Sequence, residues 1–153
     1  KAIARVFKYD QHNDKSFYFN VKGIKKEYYK DEYFNFMFIP GKDGFLTVFC
    51  IDSNEVTLLY PYSSPSTPGV KDSMDFCYNA GDSIWFPRLD AFGEGYTFDI
   101  DSDEMNEVVL VFTKKLHRII EPIRTRRQLL EWLYLVPVSE RYEMYFPIII
   151  RNR

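Results

Sequence analysis

The chain has 153 residues, the usual size of one domain, so one core is the expectation. Hydrophobic residues supply 46% of it and aromatic residues 18%, which excludes global disorder and favours pleated, half-buried surfaces. Lys and Arg number 20 against 22 Asp and Glu; a net charge of −2 gives no general attraction for phosphate, so a dedicated nucleic-acid binder is not expected.

Ile3 to Tyr9 alternates in the manner of a first strand, and Gln11 to Asp14 forms a turn cluster. Phe17, Phe19 and Val21 alternate with Tyr18, Asn20 and Lys22, predicting a second strand that ends at Gly23. Ile24 to Asp31 reads as a charged connection. Glu32 to Ile39 is a third strand, with Phe34, Phe36 and Phe38 on one face and Asn35 on the other.

Pro40 to Gly44 is a turn. Phe45 to Ile51 is apolar on both faces except at Thr47, as a central strand covered on both sides requires. Asp52-Ser53-Asn54 reverses the chain, and Val56, Leu58 and Tyr60 return it, so Gly44 to Pro61 is a β-hairpin. Pro61 to Asp75 holds three of the eight prolines and reads as a long loop. Ser83 to Phe86 is a short strand stopped at Pro87, Tyr96 to Ile100 a further one, and Glu107 to Thr113 a β-branched, apolar one.

Thr125 and Gln128 have capping-box spacing, and the apolar residues after them predict a helix near 126–135, ended before Pro137. Tyr142 to Ile150 is a closing strand, near 142–150, whose Pro147 suits an edge or a bulge. About eight short strands and one late helix predict an all-β chain: a two-sheet β-sandwich, immunoglobulin-like or transthyretin-like, in one domain over 1–153.

His12 and His117 lie in no catalytic motif, and no G-x-S-x-G is present. A non-enzyme is the expectation; a site assembled in space is the remaining alternative. Asp99, Asp101 and Asp103 alternate like the start of a calcium loop, yet Glu104 stands where such a loop needs Gly and Leu110 where it needs a bidentate Glu. The segment reads either as a calcium site or as a solvated acidic turn. Arg124, Arg126 and Arg127, with Lys114, Lys115 and Arg118, read as an anion contact or as a solvated linker. Positive charge at a helix N-terminus calls for an acidic neighbour.

Aromatic side chains near loops and strand ends are the candidates for ligand contact: Tyr60, Tyr62, Trp85 and Tyr96, through which a glycan or a peptide would be bound. Of these Trp85 is expected to be buried, and Tyr60 and Tyr62 to be exposed. Cys50 and Cys77 have no metal-type spacing, and Cys50 sits in an apolar strand pattern, so buried thiols are expected over a disulfide. No apolar run reaches the ~20 residues that span a bilayer. The chain begins at Lys1, so either a targeting segment was removed or this is an excised piece.

Tyr29-Lys30-Asp31-Glu32, the hairpin strands Asp43 to Asp52 and Val56 to Pro61, and Ala80-Gly81-Asp82-Ser83-Ile84-Trp85-Phe86-Pro87 resemble the strand patterns of a bacterial family of domains of unknown function, number 4384. The likeness covers about Lys22 to Thr113; the turn Ser53-Asn54-Glu55 lacks the glycine common in that family, and the loop after Pro61 is long. The resemblance implies an accessory β-sandwich of the bacterial cell envelope, in the periplasm or at the cell surface, attached to envelope or signalling proteins or held by an upstream lipid anchor. It implies no assigned catalytic residue. The residues and the resemblance together lead to the expectation of a non-catalytic binding or protein-interaction module with a protein partner or a glycan and, calcium aside, no cofactor.

Overall fold

The computed structural model describes residues 16–61, 77–87 and 96–153. The expected strand Ile3–Tyr9, the loop after Pro61 with Tyr62, and His12 lie outside the described residues. Among those described, nine strands and one α-helix follow in the order β1 (Phe19–Lys22), β2 (Glu27–Tyr29), β3 (Phe36–Pro40), β4 (Gly44–Asp52), β5 (Glu55–Tyr60), β6 (Cys77–Tyr78), β7 (Ile84–Phe86), β8 (Glu104–Thr113), α1 (Arg126–Tyr134) and β9 (Arg141–Arg151). They form an all-β, two-sheet sandwich: a small sheet β1-β3-β7 and a large sheet β2-β9-β8-β4-β5, with β6 paired to β4.

Alternation decides which residues meet between the sheets. Phe36 and Phe38 of β3, Leu46 and Val48 of β4, and Val108, Leu110 and Phe112 of β8 all point inward and are buried. Phe112 is the hub of this inner core: its ring stacks on Phe17 at 5.1 Å and meets Phe38 at 5.2 Å and Phe19 at 6.0 Å, in the offset and edge-to-face geometries that aromatic pairs favour.

The opposite face of β4 and β8 carries Phe49, Ile51, Val109 and Val111, a second core closed by Ile123 and by Leu129, Trp132 and Leu133 of α1. β4 is therefore covered on both sides, as its two-sided apolar pattern requires. The helix starts where its sequence says. Thr125 takes an extended backbone and accepts from the Gln128 amide, while the Gln128 side chain accepts from the Thr125 amide, so both halves of the capping box are made.

Gly44 is fixed by close approach. A Cβ there would lie 2.6 Å from the Thr113 carbonyl oxygen and 2.7 Å from the Phe112 ring, so β4 and β8 need a residue without a side chain at this crossing. The hairpin turn places Ser53 at a positive φ of 52°, a region sparsely used by residues with a side chain.

Three expectations change. The charged connection Ile24–Asp31 contains β2, which runs parallel to β9; its three residues are too few to show a period. The strand expected over Tyr96–Ile100 is reduced to one bridge, Phe34 to Tyr96. The closing strand β9 lies inside the large sheet, between β8 and β2. Pro147 is tolerated because the Ile149 amide, of the same parity, points toward Lys26 on the side away from β8. At Pro147 that side has no paired strand among the described residues, so no ladder bond is lost.

Candidate binding face

The small sheet buries one face against the large one and turns the other to solvent. In β3 this outer face carries Met37 and Ile39, both half-buried; β1 adds Asn20 and Lys22. In β7 it carries Trp85, 58% exposed, between the inward-facing Ile84 and Phe86. The antiparallel registers place Lys22, Met37 and Trp85 in one row across the three strands, with Ile39 opposite Asn20 in the next.

Tyr18 closes the far end. Its carbonyl accepts from the Gly41 amide at 2.8 Å, and its ring lies over Gly41 so closely that an added Cβ would stand 2.7 Å from it. The two rings, Tyr18 and Trp85, thus bracket about 14 Å of sheet with aliphatic side chains between them. Exposed Tyr33 lies just before β3.

The three aromatic candidates among the described residues do not share a face: Tyr60 and Tyr96 pack against Phe86, while Trp85 faces outward. Trp85 is exposed rather than buried: Ile84 and Phe86 fill the inner face, and strand alternation sends the residue between them outward. Tyr60 is buried rather than exposed, at 2%. The cause is a bulge. β4 and β5 pair residue for residue up to Phe49 and Leu58, after which Val48 faces Tyr60; the skipped residue turns Tyr60 from the helix side onto the inner core. There its ring meets Phe86 edge-on at 5.5 Å and its hydroxyl accepts from Tyr78 at 2.6 Å. Tyr96 is half-buried against Phe86, and its hydroxyl donates to the Leu59 carbonyl. Tyr62 falls outside the described residues.

The aspartates are spread out as well. Asp103 is engaged by the chain's own end: it accepts from the Asn152 amide at 2.8 Å and from Arg151 at 3.2 Å. Those bonds hold its carboxyl below the usual carboxylate range. The Asp101 carbonyl accepts from the Asn152 side chain, and Asp99 is exposed. Among the described residues no three His, Cys, Asp or Glu side chains come together as a metal ion needs, so the calcium expectation for Asp99, Asp101 and Asp103 has no geometry behind it. The irregular backbone at 101–103 replaces the alternation that would have lined the three carboxylates up.

Cys50 and Cys77 are free thiols. Burial first, then the carboxylates of Asp52 and Glu104, push the Cys50 thiol up to about 11, against an opposing hydrogen bond from Asn106. Such a thiol is a poor nucleophile at neutral pH. Glu104 itself is raised by burial and by Asp52 and Asp101. His117 keeps its Nε2 buried without a hydrogen-bond partner. Arg126 finds the acidic neighbour its place at the helix start calls for, with Glu107 at 3.7 Å, and it donates to the Ser53 carbonyl.

Sequence reasoning missed Tyr18, Met37 and Ile39 as surface-forming residues. The signal was there: once Phe36 and Phe38 are assigned inward, Met37 and Ile39 must face out. Comparison with family models, with curated proteins and with solved structures finds no match.

Proposed function

We infer that this chain is a non-catalytic interaction module that takes a protein or peptide partner on the outer face of its small sheet. The observation that carries this reading is the row Lys22–Met37–Trp85, continued by Ile39 and Tyr18. Tryptophan, tyrosine and methionine are the side chains enriched where proteins meet, and a half-exposed tryptophan flanked by aliphatic groups suits the anchor of such a contact. The likeness to the bacterial family adds the cell envelope, periplasmic or at the surface, as the setting of the proposal.

The second reading is a glycan. Trp85 and Tyr33 offer faces on which a sugar ring stacks, but the β3 side chains between Trp85 and Tyr18, Met37 and Ile39, are apolar, which leaves Asn20 and Lys22 of β1 to bond sugar hydroxyls. A photo-crosslinking amino acid at position 85, compared with one at position 134 on the helix side, tests the choice. The proposal expects position 85 to label one protein species, and purified partner to lose binding to Trp85→Ala. Equal labelling from both positions, or binding unchanged in Trp85→Ala, would sink it; retention of the chain on a glycan array, abolished by Trp85→Ala, would select the second reading.

A further inference from the structure

The net charge of −2 hides a segregation of charge. Residues 114–127, the connection from β8 together with the first two residues of α1, carry six basic side chains against one carboxylate, Glu121. This strap crosses the outer face of the large sheet from end to end. At one end the Lys114 amide bonds the Glu140 carbonyl at 2.8 Å; at the other the Arg124 carbonyl receives the Val56 amide at 2.9 Å. Ile119 and Ile123 point down into the second core. Ile120, between them, is 92% exposed.

The helix then returns beside the strap. Leu129, Trp132 and Leu133 face the sheet, while Tyr134 and Leu135 are exposed, Leu135 at 77%. Three of the basic groups are answered within the protein: Lys115 by Glu140 at 3.0 Å, Arg126 by Glu107, and Arg127 by Glu131 at 3.1 Å. Arg118 and Arg124 are exposed, and among the described residues neither has a carboxylate within ion-pairing distance. This layer thus exposes Ile120 on the strap and Tyr134 and Leu135 at the helix end, and it also carries the two arginines, Arg118 and Arg124.

We propose that the strap and helix form a docking surface for an anionic lipid bilayer, with Ile120, Leu135 and Tyr134 entering the headgroup region and Arg118 and Arg124 contacting lipid phosphates. Charge complementarity selects a negative surface. The kinds of side chain favour lipid over an acidic protein: exposed aliphatic tips and a tyrosine on a layer that also carries exposed arginines are the combination that lies in a headgroup region. Tyrosine belongs at that interface. The inference is independent of the partner proposed for the small sheet, which lies on the opposite side of the sandwich.

The test is co-sedimentation of the full chain with vesicles of equal parts phosphatidylcholine and phosphatidylglycerol, against vesicles of phosphatidylcholine alone. The chain should pellet with the anionic vesicles only, and should be released near 1 M salt, where the screening length falls to about 3 Å. The pair Arg118→Gln and Arg124→Gln should weaken binding about thirtyfold, at roughly fivefold per basic group. Ile120→Asp should weaken it about tenfold or more, through the lost apolar insertion. Leu135→Asp, at the other end of the layer, should act in the same direction, and Trp85→Ala should leave binding unchanged. All these side chains are exposed, and unchanged melting of each variant confirms that the fold is intact. Equal pelleting with both vesicles, no pelleting with the anionic ones, or anionic binding indifferent to the arginine pair and to Ile120→Asp would overturn the proposal. Retention on DNA or heparin without vesicle binding would overturn it in favour of a soluble polyanion.

Discussion

The two sheets of this sandwich are finished differently. Both faces of the large sheet's centre are covered, one by the aromatic core and the other by α1 and the strap before it. The small sheet has one covered face and one on which Trp85 and Tyr18 meet water. The two tryptophans show the contrast: Trp132 is 8% exposed and helps close the second core, while Trp85 is 58% exposed and closes nothing. A side chain of this size held outward on a short strand adds little to stability, and such residues are the ones to ask about function.

That contrast is best broken at the inner core. Phe112→Ala empties the hub where Phe17, Phe19 and Phe38 meet and should cost about 3–5 kcal/mol of folding free energy in denaturant titration. A loss under about 1 kcal/mol would mean the sheets are not packed through this ring. Gly44→Ala comes next. It sets a methyl group against the Thr113 carbonyl and should cost about 1–3 kcal/mol, because a backbone atom on the neighbouring strand has to move. Removing the helix cap with Thr125→Ala should cost about 1 kcal/mol, and the loss should be recovered by Thr125→Ser or Thr125→Asp.

Asp103 gives a smaller effect with a defined sign. Its carboxyl is held low in the folded chain by the Asn152 amide and by Arg151. Its contribution is therefore present above the ordinary carboxylate range and is lost as pH falls through the lowered folded value. Asp103→Asn should flatten the acid side of the stability profile, and an unchanged acid limb would show that these bonds do not persist in solution. Smallest of all, Trp85→Ala should change stability by no more than about 0.5 kcal/mol, even though it removes the largest type of side chain.

Much of the fold can be read from local pattern. The β4 sequence Phe45 to Ile51 shows its two-sided burial directly, and Thr125 with Gln128 shows where the helix begins. What could not be read depends on one-residue or long-range choices. A single skipped residue opposite Phe49 decides that Tyr60 is core, and no side chain in β4 or β5 announces it. The parallel pairing of Glu27–Tyr29 with Ile149–Arg151 joins segments more than a hundred residues apart through three residues that carry no period. Pro147 correctly signals a missing ladder bond, but the vacancy it needs exists on one side of an inner strand as well as at an edge. The outer face of the small sheet is half legible: the inward alternation of β3 can be read from its phenylalanines, and its outward complement, Met37 and Ile39, follows from it. Trp85 was placed in the core because tryptophan usually is; its exposure depends on Ile84 and Phe86 taking the inner positions.

The bare outer face of the small sheet is the central claim, and iodide quenching of single-tryptophan variants tests it most directly. Trp132→Phe leaves Trp85 as the only tryptophan, and Trp85→Phe leaves Trp132, each excited selectively over the tyrosines at the red edge of absorption. The structure predicts red-shifted, readily quenched emission from Trp85 and blue-shifted, protected emission from Trp132. A Trp85 as protected from iodide as Trp132 would mean that this face is covered, and would contradict the account.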